Sequence, residues 1–362
     1  MKITKPIFLI NEQICKKNIR LMAEKARKKH LEFRPHFKTH QSAEIGEWFR
    51  EAGVSKITVS SVSMAIYFAD HGWEDILIAF PVNILEIDEI NKLAQEIKLF
   101  LTVESIGAVQ FLEENMDSKA SVYIKTDTGY HRTGILPTEI NQIDEILNIV
   151  SSSANLNLTG FLAHSGNTYE ANSKREIIDI HEESIRQLSE LKSRYIRYFP
   201  ELRVSIGDTP SCSLAENFGD IDEIRPGNYV FYDVMQYFLG ACSMEDIAVA
   251  IACPVVAKHT DRMEIVLYGG AVHLSKESVI DNKGKEIFGL PVKINDLGWS
   301  KPLSYSYVSR LSQEHGILQT RPDVFDSIQI GDIIGVLPVH SCLAANLAKQ
   351  YFSFGGKEIS KM

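Results

Sequence analysis

No apolar run in the chain approaches the roughly 20 residues needed to cross a bilayer. The first apolar stretch, residues 7–10, is too short for the core of a signal peptide. Neither membrane insertion nor export is therefore expected. Cysteine is scarce: five residues, at 15, 212, 242, 253 and 342, in a chain of 362. An odd, widely spaced set does not make a disulfide framework, and reads as reduced thiols of a cytoplasmic protein. Positive charge is in deficit, 38 Lys and Arg against 47 Asp and Glu, for a formal net charge of −9. That balance excludes general binding of nucleic acid or of an anionic membrane as the function. Low-complexity stretches and fixed-period repeats are absent. The three tryptophans, Trp48, Trp73 and Trp299, carry no functional sign. Hydrophobic content of 44% and charged content of 23% belong to an ordinary globular chain. Its length exceeds what one growing core accommodates, so two domains, or a large barrel with an appendage, are expected.

What the sequence does contain is a rhythm. A short strand at 7–10 and a helix at 12–29 are followed by eight strand-like runs, at 33–37, 56–60, 75–80, 99–103, 121–125, 158–163, 203–206 and 223–230. Helical stretches separate them, at 41–52, 62–71, 84–95, 106–115, 137–150 and 173–198, with a short one after the seventh strand. Pro137 suits a first-turn position. Near-continuous apolar strands alternating with helices predict an α/β fold, a (β/α)8 TIM barrel with parallel strands buried on both faces. A doubly wound open sheet is the structural alternative. After about residue 245 the pattern becomes β-rich, with strands at 247–258, 262–268, 292–295, 304–311 and 333–337 and turns at Gly269-Gly270, Asn282-Lys283-Gly284 and Gly331-Asp332. The expected domains are a barrel over 11–245 and a mostly-β domain over 246–362, closed by residues 1–10.

Barrel chemistry gathers at the C-terminal ends of strands. The first strand ends in Phe33-Arg34-Pro35-His36-Phe37-Lys38-Thr39-His40. A lysine at that lip, poorly solvated and crowded by an arginine and histidines, is suited to lose its proton and form a Schiff base. The fifth strand runs into Asp127-Thr128-Gly129-Tyr130-His131-Arg132-Thr133-Gly134, where two glycines bracket an arginine. The sixth ends in His164-Ser165-Gly166-Asn167-Thr168-Tyr169, the seventh in Gly207-Asp208-Thr209-Pro210-Ser211, and the eighth carries Arg225-Pro226-Gly227-Asn228-Tyr229. Gly207-Asp208-Thr209 reads as a phosphate cradle: glycine for close approach, a threonine hydroxyl, and a helix start near Ser211. Alone it is equally a capped turn. Beside a lip lysine and a ring-facing arginine, it matches what pyridoxal 5′-phosphate requires.

A second constellation, Pro338-Val339-His340-Ser341-Cys342, follows a strand. In an extended segment His340 and Cys342 share a face, and imidazole with thiolate suits Zn²⁺. Two protein ligands would leave coordination positions open, as a catalytic metal does. The motif alone also reads as a thiol beside a surface histidine.

In this order and at these separations, the six motifs resemble the fold-type III pyridoxal-phosphate enzymes, in the branch of eukaryotic-type D-serine dehydratase and D-threonine aldolase. The resemblance spans essentially the whole chain. It implies a barrel domain, a β domain, a homodimer and a small D-amino acid substrate. Carried over by position, Lys38 would bind the cofactor aldehyde and remove the α-proton, and Arg132 would contact the pyridine ring. Tyr169 would line the site, Gly207, Asp208, Thr209 and Tyr229 would hold the phosphate, and His340 and Cys342 would bind Zn²⁺ or another divalent metal. The dehydratases tend to carry His-X-Cys where the aldolases carry His-X-Asp, and the aldolases resemble one another in a histidine where this chain has Asn167. Both features favour dehydration of a D-serine-like substrate over retro-aldol cleavage of a D-threonine-like one. A racemase, which needs no metal, and a non-catalytic pyridoxal-phosphate carrier are the remaining readings. His36 and His40 read as either site-facing or structural, Cys15 and Cys253 as core thiols, Cys212 as packing a helix start, and 313–316 as either a turn or a flap over the metal.

Overall fold

The computed structural model describes residues 2–362 except 282 and 297, so Asn282 of the expected turn lies outside the described residues. The chain forms two compact units. One comprises Arg20–Lys38 and Phe49–Gly227; the other comprises the residues up to Ile19, Thr39–Trp48 and Asn228–Lys361.

In the first unit eight parallel strands form one sheet, in the ladder order first, eighth, seventh, sixth, fifth, fourth, third, second. They are Glu32–Phe33, Ile57–Val59, Asp75–Pro81, Lys98–Val103, Ala120–Thr126, Leu156–Ala163, Arg203–Ile206 and Glu223–Ile224. The ring closes through the His36–Thr58 bridge, where Phe37 N donates to Thr58 O (2.8 Å) and Thr58 N to Pro35 O (2.9 Å). This is the expected barrel. Its first and eighth strands are shorter than predicted because Pro35 and Pro226 have no N–H to give the ladder. Residues 228–230, expected at the end of the eighth strand, instead form a 3₁₀ turn. The fifth helix starts at Ile140, not at Pro137, because residues 136–139 close a turn (Glu139 N to Leu136 O, 2.9 Å). The long helix Lys174–Tyr195 is capped by Ser173, which accepts from Glu176 N. It buries Ile177, His181, Ile185, Leu188, Leu191 and Tyr195, the 3.6-residue stripe that packs a helix on a sheet.

The barrel interior holds Leu77, Phe100, Tyr123 and Leu162, together with an unusual charge. Arg34, 1% exposed, bonds Glu223 Oε2 through Nε (2.7 Å), pairs with Asp75 and lies over the Phe100 ring (4.6 Å). Burial would strip its proton, but Glu223 and Asp75 outweigh burial and hold it firmly charged.

The second unit is a ten-stranded, mainly antiparallel sheet centred on Val249–His259. The amino-terminal strand Ile7–Ile10 pairs antiparallel with Val249–Ala252, as expected of a closing strand. The strand His315–Gln319 escaped the sequence reading. It forms a hairpin with Tyr307–Leu311, so Gln313 and Glu314 lie in the hairpin turn, held by Gly269 N donating to Glu314 O (2.9 Å), while His315 and Gly316 open the strand.

Candidate active site

In the barrel unit, Phe37 is buried among Phe49, Phe68 and Trp73 at centroid distances of 4.8, 5.0 and 5.0 Å. This anchor fixes the turn that presents Lys38. The lysine itself is exposed, contrary to the poorly solvated lip expected of it, because the strand ladder has already ended and the chain is turning outward. Its N–H donates to His36 Nδ1 at 3.4 Å.

His36 lies close enough to Lys38, Arg225, His164 and Lys125 to feel their charge. Burial first, and these cations second, hold it well below the usual imidazole range, so it is neutral. His164 is neutral for the same two reasons, burial and then Lys38, and its Nδ1 bonds the Gly207 carbonyl. Lys125, 4% exposed at the end of the fifth strand, is pulled down to about 7 by burial and then by Arg225 and Arg132. Arg225 is pulled down to about 10 by burial and remains charged at neutral pH. It is pinned by Nε to Ser205 Oγ (2.7 Å) and Nη2 to Ala163 O (2.5 Å). The strand ends thus gather Lys38, Arg132 and Arg225, with the half-titrated Lys125, around neutral imidazoles, a concentration of positive charge suited to a phosphate-bearing cofactor. Lys125 and Arg225 were missed as site residues in the sequence. Lys125 sits inside an apolar strand run, and only its neighbours make it chemical.

The loop after the fifth strand is organised by Asp127, whose Oδ1 accepts from the N–H of Gly129 (2.9 Å), Tyr130 (3.0 Å) and His131 (3.0 Å). Burial raises this carboxyl, but the bonds from His131 and Gly129 win and hold it below its ordinary value. Arg132 is exposed and lies over the Tyr130 ring (5.1 Å). That ring fills the space where a Cβ on Gly166 would stand, 2.1 Å away, so any larger residue at 166 would have to displace it.

After the seventh strand, Asp208 is the N-cap of the helix Thr209–Leu214. Its Oδ1 accepts from Ser211 N (2.7 Å) and Thr168 Oγ1 (3.0 Å). The carboxylate is thus spent on the cap, which suits a loop that presents N–H groups to an anion. Gly207 owes its identity to packing, since a Cβ there would meet Arg225 Cβ and O at 2.9 Å. Thr209 N donates to Tyr169 Oη (3.2 Å), joining two predicted site residues. Thr209 is wholly buried, and its hydroxyl has no partner among the described residues, as befits a group that serves a ligand.

In the second unit Tyr229, fully buried, sits on the turn Asn228–Val230. The strand Ile333–Pro338 ends before the metal motif, and His340 is the N-cap of the helix Ser341–Leu347. The predicted extended pairing of His340 and Cys342 is therefore replaced by a cap-to-first-turn pairing. The two side chains still meet: burial pulls His340 down, but its bond to Cys342 and the charge of Asp233 and Glu277 carry it up to about 9. An imidazole and a cysteine sulfur brought together are a donor set that accepts Zn²⁺. Among the described residues no third His, Cys, Asp or Glu joins them. Thr39 Oγ1 lies 3.3 Å from Cys342 Sγ, so the residue next to Lys38 in the chain touches the metal motif. His40 proves structural: burial lowers it to about 3, Ser42 N bonds its Nδ1 (3.2 Å), and Tyr351 Oη donates to its carbonyl (2.9 Å).

A closed parallel barrel with a lysine beyond its first strand and an anion-ready loop beyond its seventh places the chain among the fold-type III pyridoxal-phosphate enzymes. The family model for the N-terminal domain of alanine racemase matches residues 10–234, and that for a putative serine dehydratase domain matches 248–354. The D-serine dehydratase of Dictyostelium discoideum is 30% identical over 96% of this chain and 92% of its own. The D-threo-3-hydroxyaspartate dehydratase of Delftia sp. is 26% identical over 93% of this chain and 90% of its own. A solved structure of that enzyme superposes with a TM-score of 0.90 at 24% identity, covering 99% and 98% of the two chains. The chain belongs to the D-serine dehydratase and D-threonine aldolase family.

Proposed function

We propose that this protein is a pyridoxal-phosphate- and metal-dependent lyase that dehydrates a β-hydroxy D-amino acid of the D-serine type to a 2-oxo acid and ammonia. The observation that carries the reading is the contact of Thr39, next to Lys38, with Cys342 of the His-X-Cys motif. The Dictyostelium relative is named a D-serine dehydratase, which supports the same substrate class.

Bound pyridoxal phosphate supplies an electron sink, and a divalent ion supplies Lewis acidity for the leaving hydroxyl. The chain's own residues do the rest. Lys38 would hold the cofactor through its aldehyde, and its Nζ would accept the substrate's α-proton. Tyr169 lines the cofactor, and the turn at Gly207, Asp208 and Thr209 holds phosphate with Tyr229. Arg132 faces the ring, and Arg225, the buried and pinned guanidinium, shares the task of setting its electronics. His340 and Cys342 hold the ion. Loss of the α-proton and of hydroxide leaves an enamine, which takes a proton, and its imine form hydrolyses to oxo acid and ammonia.

The barrel occupies the span 11–245 and the β domain 246–362 with residues 1–10. The protein works as a cytoplasmic homodimer. None of the five cysteines is in a disulfide, no described helix is long and apolar enough to cross a membrane, and Phe80 and Leu85 (60% and 87% exposed) offer apolar surface to a second copy. Incubation with D-serine, D-threo-3-hydroxyaspartate and D-threonine separately tests the reaction. Oxo acid with ammonia supports dehydration; glycine with an aldehyde assigns retro-aldol cleavage instead. A chelator should abolish turnover and Zn²⁺ restore it, and turnover indifferent to chelation would point to a racemase.

A further inference from the structure

The two metal-motif side chains stand on either side of Ser341, so the main chain at that residue sets how imidazole and sulfur converge. Ser341 is wholly buried. Its N–H donates to Asp233 Oδ2 at 2.9 Å and its hydroxyl to the same oxygen at 3.2 Å. Asp233, 1% exposed, also caps the helix Val234–Phe238 by accepting from Gln236 N (2.9 Å). In that helix Met235 N donates to Val339 O (3.1 Å), a second clamp just before the motif. Asn228, 5% exposed, completes the network. Its Nδ2 lies 2.6 Å from Asp233 Oδ2, 3.0 Å from Ser341 Oγ and 3.5 Å from Cys342 Sγ. Its Oδ1 is buried without a partner among the described residues.

We infer that Asp233 and Asn228 are positioning residues for the metal: Asp233 locks the main chain between the two ligands, and Asn228 aims the sulfur. The inference rests on the metal reading above. With only two protein ligands, affinity depends on how little freedom they lose on binding. A single carboxylate that fixes both the backbone and the hydroxyl of the intervening residue removes that freedom in advance. An N–H directed at sulfur orients its lone pairs and tempers its donor strength. An amide at position 233 keeps the volume but offers one oxygen where the network uses two. One set of donors, at Gln236 or at Ser341 and Asn228, would then meet an NH₂.

The test is equilibrium Co²⁺ binding to the pyridoxal-phosphate-loaded enzyme, followed through the sulfur-to-cobalt charge-transfer absorbance. Asp233→Asn should weaken Co²⁺ by about 10–100-fold, with the cofactor absorbance and far-ultraviolet circular dichroism unchanged. Asn228→Ala should shift the charge-transfer band as well as weaken binding. Wild-type affinity and band in both variants would overturn the inference while leaving the metal reading intact. Absence of the band in wild type, or its survival in His340→Ala and Cys342→Ala, would overturn the metal reading and the inference with it. Should Asp233→Asn fail to fold, Ser341→Ala removes only the hydroxyl link. It should weaken Co²⁺ by several-fold, and wild-type binding there together with an unshifted band in Asn228→Ala would sink the inference.

Discussion

Lys125 buries an amine beside Arg225 and Arg132, and this carries a stability cost with a definite pH signature. Its proton leaves at about pH 7 in the folded chain, against 10.5 when unfolded. Below pH 7 both states hold the proton and the cost is fully present. Between pH 7 and 10.5 the unfolded chain holds a proton that the folded chain has lost, so stability rises with pH at about 1.4 kcal/mol per unit. In the cofactor-free protein, Lys125→Met should remove that slope and be more stable than wild type below pH 7, as read from guanidinium midpoints across pH 6–10. At Lys38 the expected effect is chemical. Lys38→Ala should lose the absorbance of the lysine-bound cofactor and all measurable turnover while its melting temperature stays near that of the cofactor-free wild type; surviving turnover would sink the assignment.

The seventh strand hands over to its helix through Gly207, whose missing side chain lets the eighth strand approach at Arg225. Gly207→Ala should push that strand aside, destabilise by roughly 1–3 kcal/mol and weaken cofactor retention, measured by dialysis of the loaded enzyme. The first and eighth strands are also tied by Arg34 and Glu223. Removing one partner of a buried pair leaves the other charge uncompensated, so Glu223→Gln should cost roughly 3–5 kcal/mol in urea unfolding. Both strands were legible as strand-like runs, yet their ends were not: the regular ladder stops at Phe33 and Ile224, short of residues 37 and 230, because Pro35 and Pro226 lack an N–H and only scattered bonds such as His36 N to Pro226 O continue it. The metal motif shows the same limit. Spacing put His340 and Cys342 together, whereas the geometry that joins them, a helix cap, depends on Asp233 more than a hundred residues away.

For the whole molecule, five cysteines outside any disulfide make stability independent of one: a reductant should leave the melting curve unchanged. Cys15, Cys212 and Cys253 are buried, while Cys242 and Cys342 are partly exposed. Alkylation of the folded protein should therefore mark Cys342 and Cys242 first, and Zn²⁺ should protect Cys342 alone, as read by peptide mass mapping.

The place of Lys38 after a strand-like run and the spacing of His340 and Cys342 are legible in the sequence itself, because strand periodicity and short-range spacing are local properties of the chain. So is the alternation that calls for a parallel α/β sheet, since a parallel strand buried on both faces must be apolar throughout; its closure into a barrel is seen only in the His36–Thr58 bridge. Tertiary structure decided what each side chain does once folded. Asp208 caps a helix, Gly207 makes room for Arg225, Lys125 loses its charge among cations, and Lys38, read as a poorly solvated lip lysine, stands exposed where the ladder has already stopped. For Gly207 and Lys125 the physical reason is the same. Burial, electrostatic neighbours and packing arise between residues tens to hundreds of positions apart, and no local pattern encodes them.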